Sequence, residues 1–271
     1  MLVSRLNKRC ACGLVFLLGA PAGIPQSNPG HSAPVATNAG APGLPAKETL
    51  YFGVEWRLVT AGKAKLSWSA SPQGSQPGWQ ANLHLESTGL VSKLFKVNDD
   101  YSVNLAAGLC ATSTHMIARE GKRERETKVK FDPASKKASY LETDLLKNSS
   151  VVASHEIDIP ACVHDVVGGL YHLRTLSLEP GQTAQVPLSD GKKSVMVRVQ
   201  CQGREEVKTV SGKRKTLVYE IFLFNNVLYR RSGRLHVWLT DDRLRVPVQI
   251  RVRLQFTIGT INFQLEKEER T

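Results

Sequence analysis

Beyond Lys47 the chain alternates apolar and polar residues with a period of two, and this pattern restricts the fold more than any other feature. Apolar side chains occupy every second position from Leu50 to Leu58, and again from Val248 to Ile258. Such alternation is typical of β-strands that bury one face and leave the other in water. Turn-forming pairs such as Asp132-Pro133 and Asp190-Gly191 separate the alternating stretches. The sequence therefore predicts strands joined by short hairpins.

The number of alternating stretches indicates about ten to twelve strands, and the pair Ala61-Gly62 predicts the first hairpin turn. A sheet of this size tends to curl, to close on itself or to split into two layers. We therefore predict an all-β, mainly antiparallel fold, either a curved meander sheet or a barrel-like structure.

One segment interrupts the strands. Between Ala161 and Arg174 the apolar residues recur at helical spacing, at Val163, Val166, Val167 and Leu170. The two adjacent glycines at 168 and 169 would weaken an isolated helix by about 1 kcal/mol each, so the helix needs support from the sheet. We expect one short amphipathic helix packed on, or plugging, the open side of the curved sheet.

The first 47 residues differ in composition from the rest. They contain no Asp or Glu, and basic residues precede an apolar run and the small-residue site Ala20-Pro21-Ala22. This order predicts a signal peptide over 1–22, with an N-terminal anchor or a buried helix as alternatives. Residues 23–47 are rich in Ala, Gly and Pro, which predicts a disordered tether. The remainder, 48–271, is expected to form a single β-rich domain, exported to the periplasm or cell envelope without a transmembrane span after signal removal.

The formal net charge is +12, of which +8 lies after Lys47. A nucleic-acid partner would require a continuous basic stripe with stacking aromatic residues. The basic residues instead fall on several separate hairpins, within 122–130, 213–215, 230–234 and 243–253. We predict no nucleic-acid partner and a weak attraction to an anionic envelope surface.

Three cysteines follow the predicted signal peptide. Cys110, Cys162 and Cys201 permit three alternative disulfides with one spare thiol, or three small buried side chains. They lack the paired spacing of a zinc knuckle. We predict no metal site and no cofactor.

Three segments, in their order along the chain, resemble a known family. They are Tyr51-Phe52-Gly53-Val54-Glu55-Trp56, then Asp165 followed by Leu170-Tyr171-His172-Leu173-Arg174, and finally the stretch from Trp238 to Val248, which carries Asp241-Asp242 and Pro247-Val248. Together they resemble the bacterial exported family called domain of unknown function 3108, over roughly 48–265. The resemblance implies a cell-envelope location and a mostly β fold, and it implies no established activity.

The helical segment carries the first set of candidate ligand-binding residues, Asp165, Tyr171 and Arg174. Each also has a structural interpretation, because an acid near a helix start and a cation near its end each stabilise the helix by about 0.3–1 kcal/mol. His164 and His172 would lie too far apart on one helix to share a metal ion. We therefore interpret them as part of a solvated helix face.

The second set of candidates comprises Trp238, Asp242 and Arg243. They could form a ligand site or an ion-pair clasp, and a turn held by local bonds from acid to amide is the default interpretation. Ser189 and Lys192 have the spacing of a Ser-x-x-Lys motif, but the intervening Asp-Gly predicts a tight turn instead of the helix that this chemistry uses. We predict no catalytic residues.

These features favour a non-catalytic binding or assembly module for an apolar or amphipathic ligand, such as a lipid, or for an envelope protein. The alternative is an enzyme that acts on an envelope polymer through carboxylate and arginine groups. A third interpretation is an assembly module that uses a sheet edge.

Overall fold

The computed structural model describes residues 43–71, 78–106, 108–255 and 259–271. The predicted signal peptide and residues 23–42 of the predicted tether lie outside these residues. The described part holds two short α-helices, α1 (Gly89–Leu94) and α2 (Val166–Thr175), and a 3-10 turn at Leu145–Lys147. Its strands are β1 Lys47–Trp56, β2 Val59–Ala70, β3 Gly78–Ser87, β4 Val97–Ala106, β5 Ala111–Glu120, β6 Arg123–Asp132, β7 Lys137–Asp144, β8 Ser150–Asp158, β9 Thr183–Ser189, β10 Ser194–Thr209, β11 Gly212–Ile221, β12 Gly233–Thr240, β13 Pro247–Leu254 and β14 Gly259–Arg270.

The strands form one antiparallel sheet in the order β8-β7-β6-β5-β4-β3-β2-β1-β14-β13-β12-β11-β10-β9. Two meanders therefore meet where β1 pairs with β14, and the two edge strands, β8 and β9, follow each other in the chain. The sheet is curled but not closed. The predicted all-β, antiparallel, curved architecture is confirmed, with fourteen strands in place of ten to twelve.

The curl brings the turn between β9 and β10 onto the other half of the sheet. Gly191 has a positive φ of 84°, and a Cβ there would lie 2.7 Å from a methyl group of Val129 on β6. The Lys192 ammonium lies 3.3 Å from the Glu142 carboxylate and over the Tyr140 ring, both on β7. The Asp190-Gly191 turn is confirmed, and its tight fit holds the two meanders together.

The first hairpin differs from its prediction. The turn lies at Arg57 and Leu58, because Trp56 pairs with Val59 across a two-residue loop. Gly62 instead stands within β2, where the backbone of Glu86 on β3 leaves no room for a side chain. The glycine thus marks a close approach of two strands and not a turn.

Helix α2 lies inside the curl. Its Tyr171 stacks on Trp68 of β2, Gly168 touches Leu105 of β4, and Gly169 touches Leu188 of β9. The predicted packing of a helix on the sheet is confirmed, but the helix begins at Val166 and not at 161. Just before the helix, His164 forms a parallel bridge with Leu188 of β9.

The last residues of the Ala/Gly/Pro-rich segment contact the sheet. Pro45 O accepts a hydrogen bond from Trp68 Nε1 at 2.9 Å, and Ala46 O accepts one from the Ala70 amide. Leu44 packs on the core. The folded region therefore includes residues 43–47, which composition assigns to the tether. In the described part of the chain no helix has the length and apolarity to cross a bilayer.

Different segments of the chain lie at the two ends of the strands. At one end, which we call the closed end, lie the C-terminus of α2 and the segments 43–48, 109–111, 162–165 and 241–246. The opposite end of the β1–β8 meander, which we call the hairpin rim, consists of its four connections with their flanking residues, 57–59, 88–96, 121–123 and 145–152.

Candidate functional site

Asp165 caps the N-terminus of α2. Its carboxylate accepts hydrogen bonds from the amides of Val167 and Gly168 at 2.8 and 2.9 Å, and from the Tyr101 hydroxyl at 2.8 Å. Burial raises the pKa of Asp165, although these three donors favour the charged form. These contacts cap the helix and hold it against β4, so the structural interpretation accounts for this residue.

Arg174, at the other end of α2, forms a buried ion pair. Its guanidinium binds the two Glu48 oxygens at 2.6 and 3.1 Å, and it also donates to Leu244 O at 3.0 Å. Both side chains of the pair are wholly inaccessible to solvent. Arg270 of β14 donates to the same carboxylate at 3.1 Å. The cluster joins α2 to both central strands of the sheet.

Glu48 was not among the residues predicted from the sequence, yet its position carries a signal. It precedes Leu50 by two residues and so shares the buried face of β1 with it. A glutamate at an inward position of a strand requires a buried cation, because an unpaired buried carboxylate is costly. The period-two pattern therefore indicated that Glu48 needs a buried cation, without identifying Arg174 as that cation.

Tyr171 belongs to an aromatic stack in the core. Its ring centroid lies 4.3 Å from that of Trp68, which in turn stacks on Trp79 at 4.8 Å. The Tyr171 hydroxyl is buried without a hydrogen-bond partner among the described residues. Arg174 lies over the same ring at 5.3 Å. The tyrosine thus packs between the ion pair and the tryptophans, as core residues do.

His164 and His172 are in contact, which corrects the predicted separation. Their rings stack at 4.1 Å because His164 precedes the helix and is not part of it. His164 Nδ1 donates to Leu109 O at 2.8 Å. Burial lowers the pKa of His172 to about 4, helped by the neighbouring His164, and burial also lowers the pKa of His164. Both rings are therefore neutral near pH 7.

A disulfide closes the same region. Cys110 is bonded to Cys162, which ties the turn between β4 and β5 to the segment before α2. Of the three cysteines in the described chain, Cys201 remains, buried and with a free thiol. The bond resolves the three alternatives that the sequence left open. In the described residues, no three His, Cys, Asp or Glu side chains come together as a metal site.

The second set of candidates is divided between a strand and a turn. Trp238 on β12 is buried and donates to Glu205 at 2.8 Å. Asp242 accepts from the amides of Leu244 and Arg245 and from the Thr240 hydroxyl, all within 3.0 Å.

Arg243, which follows in the same turn, is exposed. The default interpretation of Asp242 agrees with these contacts, and the turn that it shapes carries the Leu244 carbonyl that binds Arg174. The structure thus links Asp242 to Arg174 through the backbone, whereas the indole of Trp238 binds Glu205 instead of this turn.

The pair Ser189 and Lys192 does not form a nucleophilic site. Ser189 Oγ accepts a hydrogen bond from the Gly191 amide at 3.0 Å, and Lys192 is directed to Glu142. Among the described residues, Asp165, Arg174, Asp242 and Lys192 each have a structural partner, whereas Arg243 is exposed.

Two carboxylates lie just beneath the hairpin rim. Burial raises the pKa of Glu120 to about 7, and the nearby Asp99 charge contributes less. Burial raises the pKa of Asp99 to about 6, although the Arg119 amide donates to it at 2.8 Å. One Glu120 oxygen is buried with no hydrogen-bond partner in the described part of the chain. These acids were not predicted, and in sequence they are ordinary strand residues.

The hairpin rim itself is continuous. The Gly121 amide donates to Lys96 O at 2.7 Å, and Phe95 packs against Gly121. A groove of about 420 Å³ joins three of the connections, with Lys96, Lys122 and Leu146 in its lining. The fourth connection is reached through Thr88, whose amide donates to Ala61 O beside the first turn. This surface was not predicted from the sequence.

Comparisons with known proteins agree with the fold and supply no activity. The family described as "Protein of unknown function (DUF3108)" matches residues 49–266. The chain is similar to a solved structure from Brucella abortus described as a beta-barrel-like protein of domain of unknown function DUF1849, with 7% sequence identity and a TM-score of 0.51. That match covers 84% of this chain and 99% of the other. No curated protein matches the chain.

Proposed function

The chain belongs to the DUF3108 family, and on that premise we propose that it is an exported, non-catalytic module of the cell envelope that binds a partner with its outer surface. The observation that carries the proposal is the filled interior of the curl. Helix α2 occupies it from one side, and the turn between β9 and β10 enters it from the other. We therefore assign partner binding to the outer surface of the sheet.

The occupied interior argues against an enclosed ligand. Side chains of α2 interleave with those of β1, β2, β4 and β9, and Trp68 and Tyr171 stack where an apolar ligand would otherwise lie. Two grooves on the described residues, of about 260 and 420 Å³, have polar and charged side chains in their walls, including His84 and Asp100 in one and Lys96 and Lys122 in the other. A lipid-sized apolar pocket would instead be lined mostly by hydrophobic residues.

The polar contacts of the candidate residues support a non-catalytic role. A catalytic carboxylate must reach substrate, and the two candidate acids are occupied by other bonds: Asp165 by α2, and Asp242 by its own turn. The ion pair of Arg174 and Glu48 is buried, and Asp242, although exposed, is engaged in three hydrogen bonds within its own turn. An enzyme would need one of these groups to be free at a surface that substrate can approach.

Native mass spectrometry of the protein purified from the envelope tests the proposal. We expect the mass of the polypeptide alone, and we expect a photo-reactive residue at Leu94 on the hairpin rim to cross-link to an envelope component, while one at exposed Ala134 does not. A small molecule bound at one per chain and lost with the Tyr171→Ala variant would contradict surface binding. Equal cross-linking from both positions would also contradict it.

A further inference from the structure

Exposed apolar side chains are concentrated on the hairpin rim. Eleven large apolar residues of the described chain are exposed, and seven of them belong to the rim, with exposed fractions from 40% to 94%. They are Leu58, Val59, Leu90, Leu94, Leu146, Val151 and Val152. They occupy three of the four connections, so the rim presents several separate apolar tips and not one continuous apolar patch.

Exposed cations accompany these tips. Lys93, Lys96, Lys122, Arg123 and Lys147 are all exposed, and the four rim segments contain no Asp or Glu. Of the acids that flank these segments, Glu124 pairs with Arg119 and Asp144 with Arg125, and one oxygen of Glu120 is buried, whereas Glu55 and Glu86 remain accessible. The four rim segments therefore combine exposed apolar side chains with cations and contain no acids.

Leu58 shows that the rim is not arranged for stability alone. It is the most exposed of the apolar residues, and both Leu58 and Arg57 have positive φ values, 68° and 50°, in their two-residue turn. Such a turn favours Asn-Gly, and a leucine in the left-handed region costs about 1–2 kcal/mol. Neither packing nor backbone geometry therefore favours leucine at this position.

We propose that the hairpin rim docks on an anionic lipid bilayer, with the apolar tips entering the interface and the lysine and arginine groups binding lipid phosphates. The inference rests on the proposed function, because it names the partner of the outer surface. Apolar tips between exposed cations are the combination that peripheral membrane binding uses. A protein partner would instead be expected to meet a continuous apolar patch with acids and bases intermixed.

Vesicle flotation of protein purified after export tests the docking. We expect binding to phosphatidylcholine vesicles that contain phosphatidylglycerol, weak binding to phosphatidylcholine alone, and loss of binding at high salt. The triple variant Lys93→Gln, Lys96→Gln, Lys122→Gln should lower the partition coefficient on the order of a hundredfold, at about fivefold per cation. The matched control, with glutamine at exposed Lys130, Lys208 and Lys215, should bind like the wild type.

A second pair of variants tests the apolar tips. Leu94→Asn should weaken vesicle binding about tenfold or more, because a leucine that enters the interface loses contact with water. Val210→Asn, at a residue of equal exposure on the opposite end of the strands, should have no effect. Equal loss in both variants, or in the two lysine triples, would overturn the proposal.

Failure of this inference can be told from failure of the proposed function. If no vesicle is bound while Leu94 still cross-links to an envelope protein, the bilayer is the wrong partner and surface binding stands. If neither occurs, both proposals are overturned.

Discussion

The closed end buries charged side chains, whereas the hairpin rim exposes apolar ones. At the closed end, charged residues are inaccessible and satisfied, as in the pair of Glu48 and Arg174. At the rim, leucines stand in solvent and one of them occupies a strained turn. Buried polar groups whose hydrogen bonds are all satisfied make a fold specific. Exposed apolar side chains lower solubility and contribute no buried surface to stability. The contrast indicates that stability resides at one end of the sheet and binding at the other.

The largest effect should come from breaking the buried ion pair. Glu48→Ala leaves Arg174 buried without its partner, so we expect a loss of about 3–5 kcal/mol in the free energy of unfolding, measured with urea. The control is Glu268→Ala, which removes a partly exposed partner of Arg270 and should cost less than about 1 kcal/mol. The double variant with Arg174→Met should recover part of the loss. Equal losses in Glu48→Ala and the control would show that the buried pair does not hold the closed end.

The disulfide should contribute next. Replacing both Cys110 and Cys162 by serine releases a loop of 52 residues, and we expect a loss of about 2–4 kcal/mol by thermal denaturation. A reducing agent should lower the Tm of the wild type and leave that of the double variant unchanged. If reduction affects both alike, the bond does not account for the effect.

The two ends should respond to pH in opposite directions. Below about pH 6.5 the unfolded chain protonates His172 while the folded chain, whose pKa is about 4, does not, so this residue lowers stability as the pH falls. Glu120 has a folded pKa of about 7, so the folded state binds the proton first and stability rises as the pH falls towards 4.5. Each effect should be on the order of 1–2 kcal/mol.

Thermal denaturation from pH 4.5 to 7.5 separates these contributions. Relative to the wild type, His172→Phe should gain stability at the acidic end, and Glu120→Gln should gain stability at the neutral end. The same slope in the two variants would contradict the assignment of opposite pH responses to the two ends.

The smallest effect on stability should come from the rim. Leu58→Gly relieves a left-handed leucine and removes a side chain that is already exposed, so the free energy of unfolding should rise by up to about 1 kcal/mol. Vesicle binding should fall in the same variant. A loss of stability would show that Leu58 supports the fold and would remove the argument drawn from its strain.

Much of the fold follows from local patterns. The alternation along 50–56 is set by one face of β1, and the turn at Asp190-Gly191 by its own backbone, so both were predicted. The start of α2 was not, because the conformation of His164 depends on its bridge to Leu188, 24 residues away in sequence. The partner of Arg174 lies 126 residues from it, a distance that no local pattern spans.

The candidate site was predicted less well for a related reason. Ionisable residues such as Asp165 and Asp242 were predicted from the sequence to form the site. In the structure they have local structural roles. The hairpin rim is assembled from four connections that are far apart in the chain. Leucines next to lysines in turn segments were visible in the sequence, but only the sheet order places them on one rim.

The most direct test asks which end of the molecule enters a bilayer. An environment-sensitive fluorophore is attached at Leu94→Cys or at Val210→Cys, in a chain whose Cys10 and Cys12 are replaced by serine. The two positions are 73% and 72% exposed, so the free proteins should give similar spectra. With vesicles containing phosphatidylglycerol, we predict a blue shift and increased emission at position 94 and no change at position 210. A shift at position 210, or none at position 94, would contradict the division between a stabilising end and a binding end.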